Sequence, residues 1–313
     1  IENDRVIDHD DEINMLPRLT RKAVEYIDSQ ASNKKPFFLY VPLGSPHNPI
    51  VPSPEWQGKS NLSPHADFVM QTDHVVVAVS KALDRQGLTD NTLVIFTSDN
   101  GTSRAAGIDK LEAQGHFPSA HLRGSKADLW DGGHRIPFIV RWPGQVEPGS
   151  QSDQLICLTD LLATSAEIIG ESMPKGSGED SVSFLPALGG KPIVSTRQGL
   201  IHHSSTGHFA YRHGKWKLLL ARGSGGWSSP KENQVEPGAL EAQLYDMEND
   251  AGEKNNLYTK YPTVTQRLLG LLAADVNAGR STDGITSLND VTDIVLWKSG
   301  QGPAGPKKEK ETR

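Results

Sequence analysis

A single cysteine, Cys157, occurs among 313 residues, so no internal disulfide can form. Lying in the apolar run LICLTDLLA, its thiol reads as a small core residue. No apolar stretch approaches the roughly 20 residues that a bilayer span needs, and no membrane partner is expected. Positive charge is not in excess: 32 Lys and Arg stand against 38 Asp and Glu, a formal net charge of -6. That balance argues against a nucleic-acid partner, because polyanion binders concentrate cations. The Gly-x-Ser-x-Gly turn that carries many serine nucleophiles is also lacking. So is any leader-like opening: the first residue is Ile1 and the chain runs directly into a helical pattern, as expected of a chain that begins within a longer protein.

What is present is 36% apolar residues, enough for one large domain and a smaller appendage. Three short apolar runs bounded by turn residues predict buried parallel strands: PFFLYVPL from Pro36, NTLVIFTSD from Asn91 and IPFIVRWP from Ile136. Helical stripes lie between them, with Leu19, Ala23 and Ile27 in one and Val69, Val76, Val79 and Leu83 in another, the latter ended by Gly87. Alternation of strand and helix predicts a doubly wound α/β sheet over residues 1–171. After a Gly/Ser/Pro-rich stretch, GLIHHSS, HFAYRHG, KWKLLLA and QLYDM predict a small antiparallel sheet, interrupted by the loop RGSGGWSSPKENQVEPGA. A last helix follows, with Thr263 as its expected cap and Val264, Leu268, Leu271, Leu272 and Val276 as its apolar residues. Residues 172–297 thus form a linker and small α+β subdomain, and 298–313, ending in PKKEKETR, a disordered tail.

Asp99 and Asn100 close the strand LVIFTSDNG, at the edge where open α/β sheets collect ligands. Two adjacent hard oxygen donors suit Ca2+ or Mg2+, although Asp-Asn-Gly is also ordinary turn chemistry. His47 emerges past the first predicted strand between two prolines, as a proton donor, an anion ligand or simply an exposed side chain. Lys126, Asp131, His134 and Arg135 precede the third strand, at its amino end unless their loop folds back over the sheet. Cations there would stabilise an anionic transition state beside a metal. His116 and His121 lie in a second His-bearing loop.

With PFFLYVPLGSPHNPI, DNTLVIFTSDNG, KADLWDGGHRIPFIVRWPG, FAYRHGKWKLL and LYDMENDAGEKNNL in order over nearly the whole chain, the sequence resembles the formylglycine-dependent sulfatases of the alkaline phosphatase superfamily. The arylsulfatase A and N-acetylgalactosamine-6-sulfatase type is the nearest in motif. The resemblance implies an alkaline-phosphatase-like, doubly wound, mostly parallel sheet with a smaller C-terminal antiparallel sheet and helix. It implies that Asp99 and Asn100 are two ligands of a catalytic Ca2+, and that His47 and Lys126 bind sulfate and assist the leaving alcohol. His134 and His116 match positions that are able to contact sugar in polysaccharide-active relatives, and His203 is expected to approach from the small domain. The implied substrate is a sulfated carbohydrate or aryl sulfate ester, and the implied location is periplasmic, extracellular or lysosomal.

The family's opening strand with two further metal-binding Asp residues, its Cys/Ser-x-Pro-x-Arg segment and the Lys and His that follow are not found in these 313 residues. The expectation is therefore a half-site for Ca2+, no formylglycine, and no turnover by this chain without that segment as a partner. Two other readings stand beside it: a phosphodiesterase or phosphonate hydrolase of the same superfamily, and a non-catalytic sulfated-sugar-binding remnant.

Overall fold

Two helices packed side by side and running in the same direction begin the description of the chain, which the computed structural model gives for residues 11–33 and 35–298. Helix α1 (Glu12–Gln30) buries Leu16, Ala23 and Ile27. Helix α2 (Pro64–Arg85) starts where the Ser63 hydroxyl accepts from the Ala66 N–H and Pro64 supplies a helix-ready φ. Its buried stripe runs through Phe68, Thr72, Val75, Ala82 and Leu83, rotated from the expected one, so that Val69 is exposed.

The chain forms two compact units. In the first (residues 1–97, 103–118 and 137–147), β1 (Val94–Thr97) and β2 (Phe138–Arg141) pair antiparallel, Val94 opposite Arg141 and Thr97 opposite Phe138. This corrects the expectation of parallel neighbours. The first expected strand, PFFLYVPL, has no ladder among the described residues. It nevertheless keeps a two-residue alternation: Phe37 and Leu39 pack on Ile27, Ala82 and Leu83, while Phe38 and Tyr40 face out. The short helix α3 (Ile108–Ala113) also belongs to this unit.

The second unit holds residues 98–102, 119–136 and 148 onward, with α4 (Asp160–Ile168) and α5 (Leu185–Leu188). Asp160 is fully buried, accepting the N–H groups of Cys157 and Val182 and a two-pronged contact from Arg197. Cys157 is half-buried rather than core, and burial pushes its thiol up from the usual range. The four expected strands appear as β3 (Leu200–His203), β4 (Phe209–His213), β5 (Trp216–Leu219) and β6 (Gln243–Asp246), an antiparallel sheet in sequence order. Helix α6 (Pro262–Ala278) starts one residue before the expected cap: Pro262 occupies its first turn and Thr263 lies within it. The tail's expected disorder lies outside the described residues, apart from Lys298.

Period-two alternation divides this sheet into two working faces. Phe209, Tyr211, Leu218, Leu220 and Leu244 meet Leu268 and Leu272 of α6. Ala210, Leu219, Ala221, Tyr245 and Met247 meet Leu129 and Trp130 of the loop that precedes β2. Lys217 points to the loop face, where a polar contact replaces an apolar one. Its fully buried Nζ lies 2.6 Å from Asp131 Oδ1 and 2.8 Å from Glu253 Oε1. Glu253 Oε2 also accepts the Asp131 N–H at 2.6 Å. Burial alone would raise Asp131, but Lys217 and His134 hold it far below the usual carboxylate range. Burial, with the Asp131 charge added, pushes Glu253 up against the pull of Lys217.

Removing one member of a buried ion cluster strands the others, so Lys217→Met is expected to cost about 3–5 kcal/mol at pH 7 in denaturant titration. Depressed in the native state, Asp131 adds stability that is present above the ordinary carboxylate pKa and is lost as pH falls through its own. In the variant Glu253 would lose its cation and Asp131 would keep only the exposed Arg135 at 3.6 Å, so both carboxylates would favour protonation more and the deficit should shrink as pH drops from 7 towards 5. A deficit that grows over that range would refute this assignment.

Candidate functional site

Antiparallel pairing puts the end of β1 beside the start of β2, Thr97 opposite Phe138. The chain therefore leaves β1 and enters β2 at one edge, and residues 98–102 and 119–136 are the segments that follow and precede these strands in sequence. Within the second unit these segments are pinned together: the Gly101 N–H donates to Gly133 O at 2.9 Å, and the Lys126 N–H donates to Thr102 O at 2.9 Å. Only glycine permits the approach. A Cβ on Gly101 would stand 1.9 Å from Gly132 O, and one on Gly132 would stand 2.3 Å from Gly124 O.

The seam gathers Asp99, Asn100, Lys126 and His134 in one unit. Asp99 is exposed and Asn100 half-buried, and Asn100 Nδ2 donates to Asp99 Oδ1 at 2.7 Å. Their remaining side-chain oxygens accept no hydrogen bond among the described residues. This donor chemistry fits a hard divalent cation, but only as half of a site. Among the described residues no group of three or more His, Cys, Asp or Glu is placed to hold a metal ion.

Lys126 is half-buried, and its ammonium makes no hydrogen bond or ion pair among the described residues. The turn that presents it is unusual: Ala127 takes φ +84°, a left-handed conformation that costs a side-chain-bearing residue energy. Neighbours hold it there. The buried Asp128 accepts the Ser125 N–H at 2.8 Å, the Ser205 N–H donates to Ala127 O at 3.0 Å, and the Leu129 N–H donates to Ser224 O at 2.9 Å. Trp130 donates to Gln243 Oε1, and the Arg123 guanidinium stacks on the Trp130 ring at 3.7 Å while donating to Glu253 O.

His134 turns inward. Its ring stacks at 4.1 Å on that of His202; the His202 Nε2 is buried without a hydrogen-bond partner among the described residues, and the His134 Nε2 lies 3.4 Å from Asp131 Oδ1. Strand register puts the two histidines on different faces: His202 pairs with Ala210 on the loop face, whereas His203 pairs with Phe209 on the helix face and stacks on that ring. Burial, reinforced by Lys217, lowers both His134 and His202, favouring neutral imidazoles.

His47 and His116 belong to the first unit, where both are exposed. His47 stands between two cis X-Pro bonds, its Nδ1 2.6 Å from Asn48 O. The residues that sequence reasoning missed are Lys217, Glu253, His202, Asp128 and Trp227. Only Lys217 carried a signal, as a charge at an inward position of the alternating run KWKLLLA.

A family model described as Sulfatase matches residues 16–171. The chain is 34% identical over 261 residues to an N-acetylgalactosamine-6-O-sulfatase of Bacteroides thetaiotaomicron, covering 81% of this chain and 49% of that protein. It is 32% identical to an N-acetylgalactosamine-6-sulfatase of Mus musculus, covering 56% of this chain and 33% of that one. The chain thus spans about half the length of the first relative and about a third of the second. A solved Bacteroides thetaiotaomicron structure, described with the metabolism of multiple glycosaminoglycans, superposes with a TM-score of 0.73 at 33% identity over 84% of this chain and 55% of its own. A structure solved with a neocarrahexaose shares the fold, with a TM-score of 0.72 at 24% identity over 91% of this chain and 59% of its own. The α/β architecture with its small antiparallel sheet and C-terminal helix agrees with these neighbours, and the chain belongs to the sulfatase family of the alkaline phosphatase superfamily.

Proposed function

We propose that the protein hydrolyses sulfate esters of a saccharide and that this chain supplies the part of the site that balances charge. The observation that carries the reading is the glycine seam, which joins the segment of two oxygen donors, Asp99 and Asn100, to that of Lys126, whose ammonium makes no hydrogen bond or ion pair among the described residues. Ca2+, when bound, would polarise the sulfuryl oxygens as a Lewis acid. Asp99 and Asn100 would hold it from this side through a carboxylate and an amide oxygen. Lys126 would draw in the sulfate and offset the negative charge that develops on its oxygens. His47, exposed on its own loop, would give a proton to the departing alcohol. The nucleophile is not among the 313 residues, which contain no Cys/Ser-x-Pro-x-Arg segment, so a formylglycine must come from elsewhere in the protein. Similarity to an N-acetylgalactosamine-6-O-sulfatase and an N-acetylgalactosamine-6-sulfatase supports a sulfated carbohydrate as substrate.

The 313-residue chain alone is expected to release no sulfate from 4-nitrophenyl sulfate, and measurable turnover would overturn its role as a partial site. In the full natural polypeptide, Lys126→Ala should lower kcat on that substrate by about 10²–10³-fold, the scale of losing one preorganised charge-stabilising group. Gly101→Ala tests the seam, because its Cβ would meet backbone that cannot swing aside. Its expected loss of kcat is comparable. Wild-type kcat in either variant would remove the site from this seam.

A further inference from the structure

Two left-handed residues bracket the turn that carries Lys126: Gly124 at φ +82° and Ala127 at φ +84°. The second bears a side chain, so its surroundings must hold it there. The buried Asp128 reaches both sides of this turn. Its Oδ2 accepts the Ser125 N–H at 2.8 Å, and its Oδ1 accepts the Trp227 and Ser228 N–H groups at 2.8 and 3.0 Å. Glycine makes the room. A Cβ on Gly124 would stand 2.9 Å from Asp128 Oδ2, and one on Gly226 would stand 2.3 Å from Ala127 O.

The loop that supplies two of these three donors is itself fixed. Glu232 Oε1 accepts from Gly223 and Gly225 at 2.8 and 3.1 Å, and its Oε2 accepts from Arg222 at 2.9 Å. Thr206 Oγ1 donates to Gly225 O at 2.6 Å, and the Ser224 N–H donates to Pro230 O at 2.9 Å. Bonds from peptide N–H groups to a carboxylate are charge-assisted and stronger than neutral ones, so Asp128 passes this fixed geometry on to the turn. The Lys126 N–H is tied to Thr102 O. The backbone of Lys126 is thus held from two directions, by the glycine seam and, through Asp128, by the small subdomain.

We propose that Asp128 is a positioning residue for the reaction: it fixes the strained turn from which Lys126 reaches the sulfate, and it couples that turn to loop 222–232. The inference rests on the sulfate-ester reading of Lys126 and adds to it what holds that side chain ready. An amide cannot replace the carboxylate. In Asp128→Asn one oxygen becomes an NH2 group, which faces either the Ser125 N–H or those of Trp227 and Ser228, a donor against a donor.

The test is a double-mutant cycle in the full natural polypeptide, with 4-nitrophenyl sulfate as substrate and urea unfolding as the check on folding. Asp128→Asn should lower kcat about 10–100-fold, the scale of a misplaced charge-stabilising group. In the Lys126→Ala background the same substitution should change kcat less than about twofold, because the group it positions is gone. If Asp128→Asn does not fold, Ser228→Ala carries the test by removing the hydroxyl that lies 3.1 Å from Ser125 Oγ. It should lose about threefold in kcat with Lys126 present, the scale of one hydrogen bond, and nothing without it. Two results in the folded variant overturn the inference: wild-type kcat, or the same fractional loss with and without Lys126, which is what a merely structural role would give. Both leave the sulfate-ester reading standing, since Lys126→Ala by itself still lowers kcat. Wild-type kcat in Lys126→Ala defeats that reading, and this inference with it.

Discussion

A buried ammonium, that of Lys217, organises the second unit. It lies on the face of the small sheet that the loop before β2 covers, and it meets Asp131 of that loop and Glu253 of the turn after β6. No water competes for these groups, so the cluster stabilises only the arrangement in which all of them are present. The loop that carries Lys126 and His134 is held to the small sheet by this charge pattern as much as by Leu129 and Trp130. An apolar contact tolerates sliding, whereas three charged groups with fixed acceptor directions do not.

From that anchor the site follows by close approach of backbone. Gly101, Gly132 and Gly133 let two segments meet where no side chain would fit, and the resulting hydrogen bonds set Asp99 and Asn100 in register with Lys126. The strain of Ala127 is tolerated because neighbours on both sides bind its peptide groups and those of Asp128. Unstrained backbone would aim Lys126 elsewhere. A conformation of this kind, held by its surroundings, is a common way to preorganise a charged group before substrate arrives.

Much of the fold was legible in the residue pattern. All four short strands of the small sheet and the helix that covers one face were predicted from alternation and from the Val264–Val276 stripe. The strands of the first unit were located but given the wrong direction, because a short apolar run carries no information on whether its neighbour is parallel. PFFLYVPL likewise shows the right alternation, yet a ladder needs a partner, and pattern cannot supply one. Asp99, Asn100 and Lys126 were identified through motif order, and their seam is consistent with that identification. The sequence did not tell His202 from His203, since adjacent identical side chains are indistinguishable until the register assigns each to a face.

By itself the sequence determined the elements, the family and the residue types available for charge balance, because these depend on local periodicity and on motifs a few residues long. The tertiary structure alone decided which groups face one another: Lys217 against Asp131 and Glu253, His202 against His134, and Trp227 beside the Lys126 turn. Each of these contacts joins residues far apart in the chain, from 36 positions for Lys217 and Glu253 to 99 for Asp128 and Trp227. Their formation depends on strand register and on the room left by glycine, neither of which has a local signature.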